Sequence, residues 1–226
     1  LAAILYLAPR KTTHKDAEKS SDTAAPSSNE ETELKHVVDE QIASLSTSLQ
    51  TKVKELIQQA GGQQDPEKRS AITDSIATVL DSTKLSAAAA YYYEQVAVSK
   101  NTEKAWLNAA YRYFDGFKST SDSVHHAVLL NKAINTYKKV VEINPSNLDA
   151  KTDLGVCYTE TAQPMQGIQL LRDVIATNPK HENAQMNLGV LSVRSRQYDK
   201  AADRFNKVLE INPKRTEVYL YLGECY

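Results

Sequence analysis

Residues 182–213 read ENAQMNLGVL SVRSRQYDKA ADRFNKVLEI NP, and the rest of the fold follows from their spacing. The pair Asn212-Pro213 that closes this stretch also stands at Asn144-Pro145 and Asn178-Pro179, in steps of 34 residues. Leu188-Gly189 has counterparts at Leu154-Gly155 and Leu222-Gly223, again 34 apart. Val140, Val174 and Val208 keep the same step. A fixed period of this length marks stacked helix pairs, because one pair cannot bury its apolar face alone. In such a stack Gly155 and Gly189 let paired helices approach closely. Leu171 and Phe205 fill the space between them. The prolines start or end helices, since proline disrupts a helix interior.

These residues resemble the tetratricopeptide repeat, whose signature is W-x2-L-G-x2-Y, then A-x3-F, then P. The repeat at 148–181 supplies Leu154, Gly155, Tyr158, Leu171 and Pro179, with Gly167 where alanine is usual. The repeat at 182–215 supplies Leu188, Gly189, Ala201, Phe205 and Pro213, with Ser192 in place of the tyrosine. Ala133, Tyr137 and Pro145 match the second helix of an earlier unit, and Trp106, Ala110 and Tyr113 resemble its first helix. Tyr113 and Ala133 stand farther apart than the pattern allows. We therefore expect a longer loop over 116–123 and an extended second helix, and we treat 86–147 as degenerate helix pairs. Leu222, Gly223 and Tyr226 begin a further, truncated repeat at 216–226.

The resemblance implies an all-α fold, a helix-pair superhelix or α-solenoid, preceded here by long helices. It also implies a protein- or peptide-binding scaffold whose first helices line a concave groove. Carried over residue by residue, the groove residues are Asn108, Asp153, Val156, Met186, Asn187, Val190 and Arg194, joined by Thr152, Thr159, Leu220, Tyr221 and Glu224. Asn108 and Asn187 stand where family members use an amide, which donates and accepts at once, to grip a ligand backbone. Leu107, Thr152, Met186 and Leu220 occupy the place of the lysine in the family's carboxylate clamp, so that clamp is not expected.

Outward from the repeats, Leu34, Val38, Ile42, Leu45, Leu49, Val53 and Leu56 recur in steps of three and four. That predicts one long amphipathic helix from Glu33 to about Ala60, ended by Gly61-Gly62. Its apolar face either packs on later helices, the favoured reading, or forms a self-association seam. Asp65-Pro66 opens a second helix to about Lys84, which completes a helical region over 33–85. A third helix from Ser86 carries Ala87–Ala90 and Tyr91-Tyr92-Tyr93, and a fourth starts near Thr102. We expect the aromatics here to be core.

Residues 10–32 read as a flexible linker, rich in Ser, Thr, Ala, Lys and Asp. Leu1-Ala-Ala-Ile-Leu-Tyr-Leu-Ala8, closed by Pro9, Arg10 and Lys11, reads as the end of a membrane anchor over 1–9. Eight residues fall short of the roughly 20 that span a bilayer, so the start of the anchor would be missing. A signal peptide is the rival reading. Together these expectations describe a single-pass, membrane-tethered scaffold of the bacterial cell envelope. The alternative is an assembly subunit, a homo-oligomer built through the N-terminal helices and stacked repeats.

Composition narrows the chemistry. The 226 residues carry 27 basic and 28 acidic side chains, a net charge of −1, with no basic stripe for nucleic acid. The two cysteines, Cys157 and Cys225, are too few for a disulfide framework. There is no Gly-rich phosphate loop, nucleophile elbow or cysteine pair at metal spacing, so neither enzyme nor cofactor is expected. His125 and His126 are adjacent on a helix, which makes them diverge by about 100°. A metal pair prefers a four-residue step, so both histidines read as surface residues.

Overall fold

The computed structural model describes residues 28–226, which form eleven helices and no strand. In chain order they are α1 (Ser28–Ala43), α2 (Thr47–Gly62), α3 (Pro66–Ser82) and α4 (Ser86–Lys100). Then come α5 (Glu103–Ser119), α6 (Ser123–Ile143), α7 (Leu148–Thr159) and α8 (Pro164–Thr177). The last three are α9 (Glu182–Arg194), α10 (Tyr198–Ile211) and α11 (Glu217–Cys225). From α2 onward each helix packs on the next, and the connections are short, which makes neighbours antiparallel. α9 also touches α7 and α11, so first helices meet across repeats. The fold is the expected α-solenoid.

Local chemistry sets the helix starts. The Asp65 carboxylate accepts from Glu67 N and Lys68 N at 2.9 and 3.2 Å, and Pro66 takes the first helical position. Asp122 caps α6 in the same way, accepting from Val124 N and His125 N at 2.9 Å each. Asn147 caps α7 through Ala150 N at 2.8 Å. The recurring asparagines close the second helices, since Asn144, Asn178 and Asn212 are the C-caps of α6, α8 and α10. Two of them also reach back to the first helix of their own pair. Asn144 donates to Glu103 at 2.9 Å, and Asn212 donates to Glu182 at 3.1 Å.

The core runs along the array in linked patches. Trp106, Tyr113, Tyr137 and Leu154 belong to one, and Leu171, Val174 and Leu188 bridge α8 to α9. Met186, Phe205, Val208 and Val218 continue it into α11. Leu154, Leu171, Leu188 and Phe205 are all buried, as the register requires. Ala87 to Ala90 are fully buried, small enough to seat α4 among its neighbours. The largest aromatics keep a polar partner. Tyr113 Oη donates to Glu94 at 2.6 Å, and Trp106 Nε1 donates to Asn101 at 3.0 Å.

Four expectations are corrected. The stretch from Glu33 to Ala60 is two helices, broken at Ser44–Ser46. The Ser44 hydroxyl turns back to the Gln41 carbonyl at 2.7 Å. Gln50 Nε2 donates to the Ala43 and Leu45 carbonyls at 2.8 and 2.9 Å, satisfying the end of α1. The two halves go to different neighbours, α1 to α4 and α6 and α2 to α3. Leu34, Val38, Ile42 and Val53 are buried by that packing, so the apolar face serves the chain's own core.

Gly61 and Gly62 are the last two residues of α2, so the helix stops where expected, but without a left-handed glycine, since no described glycine has a positive φ. The C-cap is Gln63, in extended backbone. The loop expected over 116–123 shrinks to 120–122, because Gly116 is a buried α5 residue against Ala87 and Leu129. α6, at 21 residues, is extended as expected.

The single-pass membrane localisation is also corrected, together with the transmembrane helix it required. Among the described residues no helix is long and apolar enough to cross a membrane. The longest, α6, carries Lys132, Lys138, Lys139 and Glu142. The anchor and most of the linker expected at 1–9 and 10–32 lie outside the described residues.

Candidate functional site

The first helices α5, α7, α9 and α11 face a common open cavity of about 940 Å³. Every lining residue comes from these helices or their immediate ends, and none from a second helix. Of the seven residues the sequence singles out, Asp153, Val156, Met186, Asn187, Val190 and Arg194 line it together. Leu220, Tyr221 and Glu224 join them from α11. Asn108 lies elsewhere, beside Asp81, Tyr93, Tyr111 and Arg112, two helix pairs back from Asn187. Thr152 is buried, its hydroxyl donating to the Leu148 carbonyl at 2.8 Å. Thr159 packs against Gly167.

The floor is apolar. Met186 is 8 % exposed and Val156 and Val190 are half-buried. Tyr221 stacks on Phe205, with ring centroids 5.2 Å apart and planes inclined by 21°. Leu220 stands out at 76 % exposed. Phe114 and Phe117 close the α5 end, edge to face at 5.1 Å.

The cations around this floor already have partners. Arg194 Nη1 meets Glu160 Oε1 at 2.9 Å across one repeat. Arg215 bridges Glu182 and Glu217 at 2.7 Å each and donates to Asn183 at 2.9 Å. Lys118 Nζ sits 4.9 Å from the Phe114 ring centroid. Asn187 Nδ2 donates to the Asn183 carbonyl at 2.8 Å, one turn back on its own helix.

Asp153 is the perturbed group of the groove. Burial pushes its carboxyl up to about 6, although the Tyr137 hydroxyl, donating to Oδ2 at 3.0 Å, partly offsets this. Neighbouring Cys157 is buried, and desolvation followed by the Asp153 charge drives its thiol upward. A raised thiol is a poor nucleophile at neutral pH.

One tetratricopeptide-repeat family model matches residues 130–191 and a second matches 182–215. Residues 130–215 are tetratricopeptide repeats. No curated protein matches the sequence. Among solved structures, the repeat array is similar to that of MamA, 23% identical, with 67% of this chain and 82% of that one covered and a TM-score of 0.54. A tetratricopeptide repeat protein from Parabacteroides merdae is 16% identical, covering 86% and 73% with a TM-score of 0.60. A thermophilic tetratricopeptide protein from Thermus thermophilus is 15% identical, covering 87% and 98% with a TM-score of 0.57. At these identities the likeness is one of fold.

The repeat register located the groove but missed two features. One is the pairing of Arg194 with Glu160, residues 34 apart and therefore at equivalent repeat positions, a cue present in the sequence. The other is that His125 does not stand alone. His36 and Glu40 of α1 are brought to it, with one ligand atom from each of the three within 4.8 Å of the others. The four-residue step from His36 to Glu40 was the available signal. That α1 would dock on α6 was not.

Proposed function

We propose that this chain is a non-catalytic scaffold that binds a protein partner through an extended segment laid in the cavity between α5, α7, α9 and α11. The observation that carries this reading is the make-up of the cavity, an apolar floor built only from first helices. Met186, Val156, Val190 and Tyr221 would seat apolar side chains of the segment, and burial of such side chains would drive binding. Cations held by Glu160, Glu182 and Glu217 have little left for a free carboxylate. The segment is therefore apolar and internal to its protein, rather than an acidic C-terminus. The amide of Asn187 keeps its carbonyl oxygen and one N–H for the segment's backbone. The case against catalysis rests on Asp153, the groove's perturbed group, which is held by Tyr137, and on the adjacent core residue Cys157, whose thiol is pushed upward by burial.

The test is selection of binding peptides from a displayed random library, followed by fluorescence anisotropy of the best peptide. Val190→Asp places a charge on the floor and should weaken binding at least tenfold. Equal affinity for Val190→Asp and wild type would move the site out of the groove.

A further inference from the structure

We propose that His36, Glu40 and His125 form a zinc(II) site that clips α1 onto α6. Two imidazoles and a carboxylate are a donor set that zinc takes readily, with water completing a tetrahedron. His36 and Glu40 lie one turn apart on α1, so their side chains share a face. His125 stands in the first turn of α6, its backbone N–H held by the Asp122 cap at 2.9 Å.

The distances suit an ion. His36 Nδ1 lies 3.9 Å from Glu40 Oε1, and His125 Nε2 lies 3.9 Å from Glu40 Oε2. These gaps are too long for hydrogen bonds, so the three groups converge without satisfying one another. Zinc bonds of about 2.0–2.1 Å place tetrahedral donors roughly 3.4 Å apart. The two measured gaps run to different oxygens of Glu40 and must close by about half an ångström each, and the full set, whose donors stand within 4.8 Å of one another, by up to about 1.4 Å. His36 and Glu40 can move that far, since their side chains are 62% and 56% exposed. The His125 side chain, 21% exposed, is the fixed point. A cavity of about 310 Å³ adjoins Glu40 and His125, bordered by Gln41, Thr120 and Ser121, which leaves room for the water ligand.

The consequence lies in how α1 is held. It is not packed along α2, but rests on α4 and α6 through Leu34, Val37, Val38 and Ile42. A long-range hydrogen bond from Ala88 N to Gln41 Oε1 at 2.9 Å supports it. A metal joining residues 36 and 125 adds a cross-link at that seam. Binding the folded chain in preference to the unfolded one stabilises the fold by mass action. Zinc thus tightens the docking of the N-terminal helix on the repeat array, independently of what the groove binds.

The experiment uses the untagged, metal-free chain and zinc(II) alone. Isothermal titration should show one equivalent bound, and the melting temperature should rise with zinc. His36→Ala and His125→Ala should each weaken binding by more than the roughly 10–100-fold that loss of an outer-shell partner costs. Neither should take up zinc with a thermal gain at the concentration that saturates wild type. His36 is exposed, so His36→Ala folds and keeps the test valid should His125→Ala be unstable. Cobalt(II) should give a visible tetrahedral band in wild type that His36→Ala lacks. Absence of saturable zinc uptake overturns the proposal. So does uptake whose stoichiometry and affinity survive His36→Ala, which would place the metal on other donors.

Discussion

Gly167→Ala offers a sharp test, because the repeat pattern and the structure predict opposite outcomes. The family pattern places alanine at this position, and alanine favours a helix over glycine by about 0.8–1 kcal/mol. On that basis the substitution should stabilise. In the structure, however, a Cβ at Gly167 would lie 2.7 Å from Thr159 Cγ2 and 2.8 Å from Thr159 N, with the Gly155 carbonyl oxygen closer still. Ordinary contact begins at 3.4 Å, so clearance is short by 0.7 and 0.6 Å at Thr159 alone. Two of the three obstacles are α7 backbone, which no rotamer change moves. α7 and α8 must therefore separate, loosening Leu171, which is fully buried against Gly155. Overpacking of this kind costs about 1–3 kcal/mol. Set against the propensity gain, and because backbone has to move, the expected net loss is about 1–2 kcal/mol. That lowers the melting temperature by roughly 2–8 °C for a chain of this size. Thermal unfolding followed by helical circular dichroism is the assay. Gly116→Ala is the control, since its added Cβ would meet Leu129 and Ala87 at 3.4 to 3.8 Å and should leave the melting temperature unchanged or raised. A Gly167→Ala chain that melts at or above wild type would refute the close approach of these helices.

Three further outcomes follow from the same geometry. Phe205→Ala removes a fully buried ring that stacks on Tyr221 and should cost about 3–5 kcal/mol in urea unfolding, whereas a loss under about 1 kcal/mol would show the register to be wrong. Glu103→Ala removes the acceptor of both Asn144 and Asn147 at 2.9 and 2.7 Å, and should cost about 1–3 kcal/mol, with no measurable change if these bonds are replaced by water. Asp153 holds its proton more tightly folded than unfolded, so its contribution favours folding at low pH and is lost as pH rises from the ordinary 3.8 through about 6. The stability of wild type relative to Asp153→Asn should therefore fall across that window in urea melts at stepped pH, and a flat difference would contradict the burial of this carboxyl.

The repeats were legible because their physics is local and periodic. Leu154, Leu171, Leu188 and Phe205 mark buried faces by spacing alone, and Asn-Pro marks each helix end. The lining of the cavity was legible for the same reason, since register assigns Asp153 and Val156 of α7 and Met186, Asn187, Val190 and Arg194 of α9 to the same side of the array. What failed was non-periodic. The break at Ser44–Ser46 is invisible to a three-and-four pattern that continues through it, because both halves bury their apolar faces. Gly116 fell in the expected loop because the span from Tyr113 to Ala133 exceeds the repeat pattern, yet it is a buried residue of α5 that faces Ala87 and Leu129. Asn108 lies outside the groove, beside Asp81 and Arg112, and register alone does not show this. The meeting of His36 with His125 depends on tertiary docking, which spacing within α1 does not encode.

The groove is the central claim, and the sequence supplies its own reporters. The chain has two methionines, Met186 on the groove floor and Met165 on α8, 63% exposed and outside the groove. Labelling the methionine methyls with ¹³C gives one signal from each. On titration with the selected peptide, the Met186 methyl should shift and broaden while Met165 stays in place. A shift at Met165 with Met186 unmoved would place the partner outside the groove and contradict the account.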